Sequence, residues 1–321
     1  MAEKKEIKTV ADLPGVGEKI AAKLDSAGFV DLMSVAAASP KELIEVAELG
    51  DQTASKIIEA ARDALNIGFE SATKVLERRT KALKITTRSK NLNALIGGGI
   101  ETGGTLEAHG GFGSGKSQLA HEFAVTVQLP VDKGGAAGGC LFIDTENTFS
   151  PSRIEQMAKA VKLDPKKALE NILVARAYNA DHQCVLVDKA ADFIKPKNIK
   201  LIVVDSVTAL FRADYTGRGE LASRQQKLNR HLHALQRLAD VYGVAIYMTN
   251  QVMSRPDMMF GDPTAPIGGH VMGHFAGIRL YLRKSKGENR IARMIDAPNL
   301  PEGECVFIVN TDGLGDPEEK E

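Results

Sequence analysis

The segment GGFGSGKS at residues 110–117 places glycines, a lysine and a serine at the spacing of a phosphate-binding loop. Glycines let successive backbone N–H groups face phosphate oxygens, Lys116 can reach the β and γ phosphates, and the Ser117 hydroxyl can ligate Mg²⁺. A β-type run precedes the segment and the helical run QLAHEFAVTV follows it, which is rare for a chance glycine-rich turn. The predicted nucleotide-binding residues are Gly110, Gly111, Phe112, Gly113, Ser114, Gly115, Lys116, Ser117 and Gln118.

Three other apolar runs are followed by polar side chains that could complete such a site. KLIVVD is apolar on both faces, as a central parallel strand is, and it ends at Asp205, which is predicted to bind Mg²⁺ together with Ser117. CLFID leads to Glu146, a candidate base for the attacking water, with Asp144 as a rival because either carboxylate could face the phosphates. GVAIYMTN leads to Gln251, whose amide could sense a γ-phosphate and transmit its presence to the loop that follows.

These residues need a sheet that brings the strand ends together. From residue 89 to residue 315, β-type runs alternate with helix-period segments, which predicts an α/β core with a mainly parallel sheet and crossover helices. The runs GIRLYLRK, NRIARMID and GECVFIVN are closely spaced and predict additional antiparallel strands. Residues 316–321 are predicted to form a disordered acidic tail.

The N-terminal part contains an internal duplication. Residues 12–28 and 45–61 share a glycine hairpin followed by an amphipathic helix, which predicts two helix-hairpin-helix units in an all-α domain of residues 1–68. Glycine in such hairpins lets backbone amides approach DNA phosphates, but Glu48 stands where the first copy has Gly15. DNA contact through the first hairpin and a structural or protein-docking role both stay open. Residues 69–88 are predicted to be a linker.

Charge and composition narrow the possible partners and locations. The formal net charge of the 321 residues is zero, so a nucleic-acid surface must come from local charge. Two glycines lie among the arginines of residues 209–230, which favours a flexible basic DNA-binding loop over a solvated helix face. Its predicted DNA contacts are Arg212, Arg218, Arg224 and Arg230. The chain shows no apolar stretch near the roughly 18 residues of a membrane span and no signal-peptide centre, so we expect a cytoplasmic protein with buried thiols.

Several long segments together resemble the archaeal RadA recombinases over nearly the whole chain. They are GGFGSGKSQ, FIDTENTFSPSRI, RADYTGRGELASRQQKLN, TNQVMSRPDMMFGDPTAPIGGHVMGH, DAPNLPEGE and the N-terminal duplication. The resemblance implies a RecA-type ATPase core and an ATP-dependent recombinase that forms filaments on single-stranded DNA. It also implies homologous pairing and strand exchange with double-stranded DNA, in recombination and double-strand break repair. The alternative is a paralogue, a mediator or a DNA motor of the same fold that hydrolyses ATP without strand exchange.

The resemblance implies further site residues. Arg153 would stack on the adenine and Pro301 would cap the same base from a neighbouring subunit, while His274 and Asp296 would approach the phosphates or a bound cation such as K⁺. Residues 253–270, with Arg255, would form a second DNA-binding loop.

Assembly also follows from the resemblance, which implies head-to-tail filaments or rings and partners such as recombination mediators and single-strand-binding protein. Phe69 and Ala72 match the FxxA tether that would join the subunits. Gly111 replaces an expected glutamate, and Ala108 and His109 replace bulkier apolar residues, which predicts a looser phosphate-binding loop.

Overall fold

The computed structural model describes residues 7–65, 69–254, 264–273 and 275–318, without the side chains of residues 218, 254, 264, 265 and 270. The chain divides into two compact units, Met1–Lys81 and Ala82–Glu321. The second unit begins before the boundary expected at residue 89, because Lys84–Ile85 already pairs as a strand with Ile100–Glu101.

The N-terminal unit is helical. After a 3-10 turn at Val10–Asp12 come α1 (Glu18–Ser26), α2 (Leu32–Ala36), α3 (Pro40–Ala47), α4 (Asp51–Ala64) and α5 (Ala72–Thr80). The side chains of Leu24, Leu43 and Ile57 are fully buried in its core. No described side chain of α5 is buried, so part of the expected linker is a helix that contributes no core.

The backbone shows the duplication directly. Gly15 and Glu48 occupy equivalent positions and both have positive φ angles, 86° and 54°. Gly17 and Gly50 then act as the N-caps of α1 and α4. Glu48 forms an ion pair with Lys23 at 2.7 Å, and this contact lowers the pKa of the carboxyl. Its negative charge is therefore partly compensated by the first copy.

The larger unit is built on a nine-stranded sheet in the order β13-β12-β11-β10-β3-β7-β6-β4-β5. Its strands are β3 (Thr105–Gly110), β4 (Gly139–Asp144), β5 (Ile172–Arg176), β6 (Ile199–Asp205), β7 (Ala245–Asn250), β10 (Ile278–Lys284), β11 (Asn289–Asp296), β12 (Glu304–Asn310) and β13 (Gly313–Gly315). Two small sheets pair β1 (Lys84–Ile85) with β2 (Ile100–Glu101), and β8 (Val252–Ser254) with β9 (Thr264–Pro266).

Every β-type run used in the sequence argument forms a strand. The five strands from β3 to β7 are parallel, and β11 and β12 are antiparallel additions, as expected. The short strand β13, which was not predicted, pairs antiparallel with β12. The strand β10 differs, because it pairs parallel with β3 on one side and antiparallel with β11 on the other. It therefore joins the two halves of the sheet instead of belonging wholly to the antiparallel part.

Helices cover both faces of this sheet. They are α6 (Lys90–Leu95), α7 (Lys116–Thr126), α8 (Pro151–Ala160), α9 (Pro165–Glu170), α10 (Ala180–Ile194), α11 (Ala209–Asp214), α12 (Leu221–Tyr242) and α13 (Gly269–Gly273). One core cluster contains Phe123 of α7 with Tyr247, and the other contains Leu232 of α12 with Ile246. Successive residues of β7 thus point to opposite faces, as the pleat requires.

The C-terminal tail is ordered further than the sequence predicted. Asp316 was expected to begin a disordered tail, but its carboxylate accepts hydrogen bonds from the Ser89 hydroxyl and from the Lys90 and Asn91 N–H groups. That carboxylate caps the start of α6, so order extends past residue 315.

The three cysteines are free thiols, with Cys140 buried and the other two half-buried. Among the described residues, no helix is long and apolar enough to cross a membrane.

Candidate nucleotide site at the carboxyl edge of the sheet

Four neighbouring parallel strands carry the predicted site residues to one edge of the sheet. The order β3-β7-β6-β4 brings together the phosphate-binding loop after β3, Gln251 after β7, Asp205 at the end of β6 and Glu146 after β4. In open α/β sheets, ligands bind outside the carboxyl ends of the strands. The fold therefore assembles these residues where a nucleotide would bind.

The phosphate-binding loop has the backbone that its glycines allow. Gly113 and Gly115 have φ angles of 72° and 104°, and Gly115 leads directly into α7. A Cβ added to Gly110 would lie 2.0 Å from the carbonyl oxygen of Leu282, so this position excludes side chains. A Cβ at Gly111 would meet nothing within 4 Å. The first side-chain atom of the expected glutamate would thus meet no steric conflict.

Lys116 is held at the mouth of this loop. Its Nζ donates to the carbonyl oxygens of Gly110 at 2.7 Å and Gly111 at 2.9 Å. Burial lowers the pKa of Lys116, while the charges of Asp205 and Glu146 act in the opposite direction. The Tyr247 hydroxyl donates to the Lys116 carbonyl at 2.9 Å and fixes the first turn of α7.

Asp144 is occupied by the loop that carries Glu146. Its Oδ1 accepts from the N–H groups of Glu146 and Thr148, both at 3.1 Å, and its Oδ2 accepts from the N–H of Phe149 at 3.2 Å. Arg176 adds an ion pair at 3.4 Å, and Asp144 is only 4 % exposed. A carboxylate with this many donors supports the loop, which favours Glu146 over Asp144 as the general base.

Glu146 and Gln251 are in direct contact. The Gln251 amide donates to Glu146 Oε1 at 2.6 Å. Burial raises the pKa of Glu146, and the nearby charges of Asp205 and Asp144 raise it further, against the lowering effects of Gln251 and Lys116. A raised pKa makes a carboxylate a stronger proton acceptor, which suits a base that activates water.

Asp205 is buried and oriented by two hydroxyl groups. The Thr249 hydroxyl donates to Oδ1, and the Thr148 hydroxyl donates to Oδ2 at 3.2 Å. Neither threonine was predicted from the sequence. The described residues contain no group of three or more His, Cys, Asp or Glu side chains that could hold a metal ion. A metal here would need further ligands from the nucleotide and from water.

His121 also positions the site, and it was not predicted from the sequence. Its Nε2 accepts from the Ser150 N–H at 2.9 Å, so Nδ1 carries the proton and donates to the Ser117 carbonyl at 2.6 Å. Burial lowers the pKa of His121 and keeps the ring neutral. The ring thereby ties the turn containing Ser117 to the start of α8. Its only sequence signal is its place one helical turn after Ser117.

The Arg153 guanidinium is fixed by the C-terminal strands. It donates to Gln118 Oε1 at 2.7 Å and to the carbonyl oxygens of Asn310 at 2.6 Å and Thr311 at 2.5 Å. Gln156 accepts a further bond at 2.9 Å. The planar group is thus held beside the helix that follows the phosphate-binding loop, a suitable place for contact with a base.

The structure of the basic segment 209–230 differs from the flexible DNA-binding loop that the sequence predicted. It is largely helical, with exposed Arg212 on α11, and with half-buried Arg224 and exposed Arg230 on α12. Lys227 is engaged by Asp181 and by the Tyr215 hydroxyl, so it adds little free charge. The prediction of a flexible loop is wrong for most of this segment, because apolar residues at helical spacing outweigh its glycines.

The remaining predicted residues have different outcomes. Asp296 ends β11 and Pro301 follows it, and both are exposed. Phe69 lies outside any helix or strand and is 112 % exposed, with Ala72 exposed at the start of α5. Arg255, His274 and the side chain of Arg218 lie outside the described residues.

The fold and this edge of the sheet define a P-loop nucleotide-binding protein with a helix-hairpin-helix unit. Comparison with known protein families supports both parts of this description. The Rad51 family profile matches residues 78–317, and a SAM-like helix-hairpin-helix tandem profile matches residues 7–63.

Two relatives cover almost the whole chain. The DNA repair and recombination protein RadA of Aeropyrum pernix is 54 % identical over 316 residues, which is 98 % of this chain and 99 % of the relative. RadA of Metallosphaera sedula is 53 % identical over 318 residues, which is 99 % of this chain and 98 % of the relative. The chain therefore belongs to the Rad51 family and, within it, to the archaeal RadA recombination proteins. Membership of this family implies ATP binding and DNA binding.

Proposed function

We propose that this chain is an ATP-dependent DNA recombinase that assembles on single-stranded DNA and catalyses homologous pairing and strand exchange. The observation that carries the proposal is the membership of the Rad51 family over residues 78–317, with RadA relatives matching almost the whole chain. A route from the nucleotide site toward DNA is offered by the 2.6 Å contact between Gln251 and Glu146. It links the candidate base to the first residue of the segment that contains the second expected DNA-binding loop. A nucleotide that displaces this contact would alter that segment at its origin.

The nucleotide is ATP, bound with Mg²⁺. Ser117 and Asp205 offer hard oxygen ligands of the kind that Mg²⁺ prefers, and the cation would supply charge neutralisation at the phosphates. Glu146 accepts the proton of the attacking water, and Lys116 stabilises negative charge on the phosphate oxygens. Arg153 stacks on the adenine. Asp296 and Pro301 act across a subunit interface, where a K⁺ ion is a further candidate ligand, and their exposure supports this arrangement.

DNA binds along the arginines of α11 and α12 and along the second loop. Arg212 and Arg230 are exposed, and Arg224 is half-buried between them in sequence. Phosphate contacts of this kind give affinity with little sequence preference, which suits a protein that leaves recognition to base pairing. Arg218 and Arg255 would add to this surface. With DNA as its partner, the protein would act in the cytoplasm together with recombination mediators and single-strand-binding protein.

Subunits join through Phe69. An aromatic side chain with 112 % exposure is unfavourable in water and suits insertion into a neighbouring chain. The strand β5 is an edge of the nine-stranded sheet and carries Val174 at 44 % exposure, so it can accept an added strand beside an apolar contact. Such a head-to-tail contact propagates into a filament or closes into a ring.

Assembly is tested by light scattering of Phe69→Glu, with Leu76→Glu as the control. Leu76 is also exposed, at 62 %, and lies on α5 outside the FxxA motif. We expect Phe69→Glu to give smaller assemblies and Leu76→Glu to assemble like the parent protein. Equal assembly of all three proteins would remove Phe69 from the interface.

Function is tested by strand exchange between a labelled single strand and a homologous duplex. We expect exchange with ATP, none without nucleotide and none with Lys116→Ala. Lys133→Ala, at an exposed lysine of a 3-10 turn, is the matched control and should retain exchange. DNA-stimulated hydrolysis without exchange would instead indicate an accessory paralogue or motor. DNA binding without phosphate release would indicate a filament protein that binds ATP only.

A further inference from the structure

A buried amide lies between the roots of the two proposed DNA-binding segments. Asn250 is the last residue of β7, immediately before Gln251, and its side chain is 0 % exposed. Thr208 immediately precedes α11, where the first basic segment begins, and it is 1 % exposed. Ile267 follows β9, at the far end of the second segment, and is 5 % exposed.

The Asn250 amide makes three buried hydrogen bonds, which use its oxygen and both of its N–H groups. Its Oδ1 accepts from the Thr208 hydroxyl at 2.6 Å. Its Nδ2 donates to the Ile267 carbonyl at 2.7 Å and to Glu107 Oε1 at 2.8 Å. The orientation of the amide follows from its partners, because a flipped amide would set its oxygen against a carbonyl and a carboxylate. Three buried hydrogen bonds from one amide hold it in this orientation.

The amide is anchored in the sheet itself. Glu107 lies on β3, is 0 % exposed and accepts from Arg279 Nε of β10 at 2.7 Å. Asn250 is therefore held by the strand that leads into the phosphate-binding loop. The Ile267 N–H also donates to the Gln251 carbonyl at 3.0 Å, so the second segment starts and ends at the same place.

The two segments also pack against each other at this point. Thr208, Arg212 and Arg224 line one small pocket together with Ile267 and Gly268. The root of the first segment and the far end of the second segment are therefore neighbours.

We propose that Asn250 is a positioning residue that couples the two DNA-binding segments to each other and to Gln251, so that a nucleotide-dependent change at Gln251 alters both segments together. Asn250 touches neither nucleotide nor DNA in this role. The assignment of the segments to DNA rests on the proposed function, but their coupling through the amide does not.

The test uses variants that keep the size of each side chain. Thr208→Val removes only the hydroxyl that bonds Asn250. Asn250→Asp places a carboxylate beside Glu107, and the double variant with Glu107→Gln restores one negative charge and a donor between these two positions. Asn198→Asp is the control for the change of charge, because this exposed asparagine in the turn before β6 also donates its amide to a carbonyl, that of Ala137.

Hydrogen–deuterium exchange without DNA tests the coupling itself. We expect Thr208→Val to increase exchange at residues 209–214 and also at 264–273, by about threefold to tenfold for the loss of one buried hydrogen bond. Asn250→Asp should increase exchange in the same two ranges, and adding Glu107→Gln to it should reverse part of that increase. Asn198→Asp should leave the exchange of both ranges unchanged. An increase confined to residues 209–214 in Thr208→Val would overturn the coupling.

Binding measurements then connect the coupling to function. In the parent protein, ATP should raise the affinity for a fluorescent oligothymidine. Thr208→Val should reduce that gain by about threefold to tenfold, while the affinity for ATP changes by less than about twofold. An unchanged gain would show that Asn250 has a structural role only. If the parent protein shows no such gain but the exchange results hold, the proposed function fails and the coupling stands.

Discussion

Replacing Asp144 by asparagine separates support of the loop from proton transfer. Asparagine keeps the size of the side chain and one oxygen, which can still accept from the Glu146 and Thr148 N–H groups that bond Oδ1 at 3.1 Å. Its amide nitrogen would then face the Phe149 N–H, which bonds Oδ2 at 3.2 Å, as donor against donor. The ion pair with Arg176 loses its negative charge.

The expected size of the effect follows from these contacts. A hydrogen bond to a charged group contributes about 1.5–3 kcal/mol, which corresponds to a change of about 10- to 100-fold in the population of the ordered loop. We therefore expect Asp144→Asn to lower kcat by about tenfold or somewhat more. The affinity for ATP should change little, because Lys116 and Ser117 keep their surroundings. Removing the base itself costs about 10²- to 10⁴-fold in general acid–base catalysis.

The assay is single-turnover hydrolysis with DNA present, compared among Asp144→Asn, Glu146→Gln and Asp164→Asn. Asp164 caps α9 by accepting from two backbone N–H groups, so it is a matched loop-supporting carboxylate away from the site. We expect the order of loss to be Glu146→Gln, then Asp144→Asn, with Asp164→Asn unchanged. Hydrogen exchange at residues 145–150 should increase in Asp144→Asn. A loss equal to that of Glu146→Gln, with this loop still protected, would show that Asp144 is the base.

Three further predictions concern buried groups. Burial raises the pKa of the Glu122 carboxyl from 4.5 to about 7, so folding favours its protonated form. The free energy of unfolding should therefore fall between pH 4.5 and pH 7, by up to about 3 kcal/mol more than in Glu122→Gln, in urea titrations. Gly110→Ala should lower Tm by about 6 °C or more because its Cβ meets backbone at 2.0 Å, while Gly111→Ala should change Tm by less than about 2 °C in calorimetry. Cys140 should resist maleimide in the native protein, because burial raises the pKa of its thiol, and labelling as fast as after unfolding would contradict this.

The sequence predicted helices and strands correctly where the spacing of apolar residues and the neighbouring motifs indicated the same structure. The apolar run KLIVVD forms β6, and GGFGSGKS lies between β3 and α7 as expected. The duplication is visible in the paired left-handed residues Gly15 and Glu48. The arginine-rich segment was harder, because its glycines suggested a loop. Leu228, Leu232 and Leu235 follow a helical period, are buried, and place Arg224 and Arg230 on α12.

Contacts between distant residues could not be predicted in this way. Arg153 donates to the carbonyl of Asn310, the last residue of β12, and Asn250 donates to Glu107, across 157 and 143 positions respectively. Neither pair shares a period or a motif. Such contacts depend on strand order, since β3 and β7 are neighbours only because the chain crosses over between them. The sequence named the candidate base, but the choice between Asp144 and Glu146 required the hydrogen bonds of the loop.

The strand ends nevertheless follow a physical rule at this edge. Asp144, Asp205 and Asn250 are each the last residue of a parallel strand, and each is at most 4 % exposed. A polar group there meets the hydroxyl and N–H donors of neighbouring strands and turns, and burial makes those bonds necessary. Glu146 and Gln251 lie just beyond the strands and bond each other at 2.6 Å. Asp144 and Asn250 therefore orient the loops of the site, while Glu146 and Gln251 are less buried and can meet the substrate.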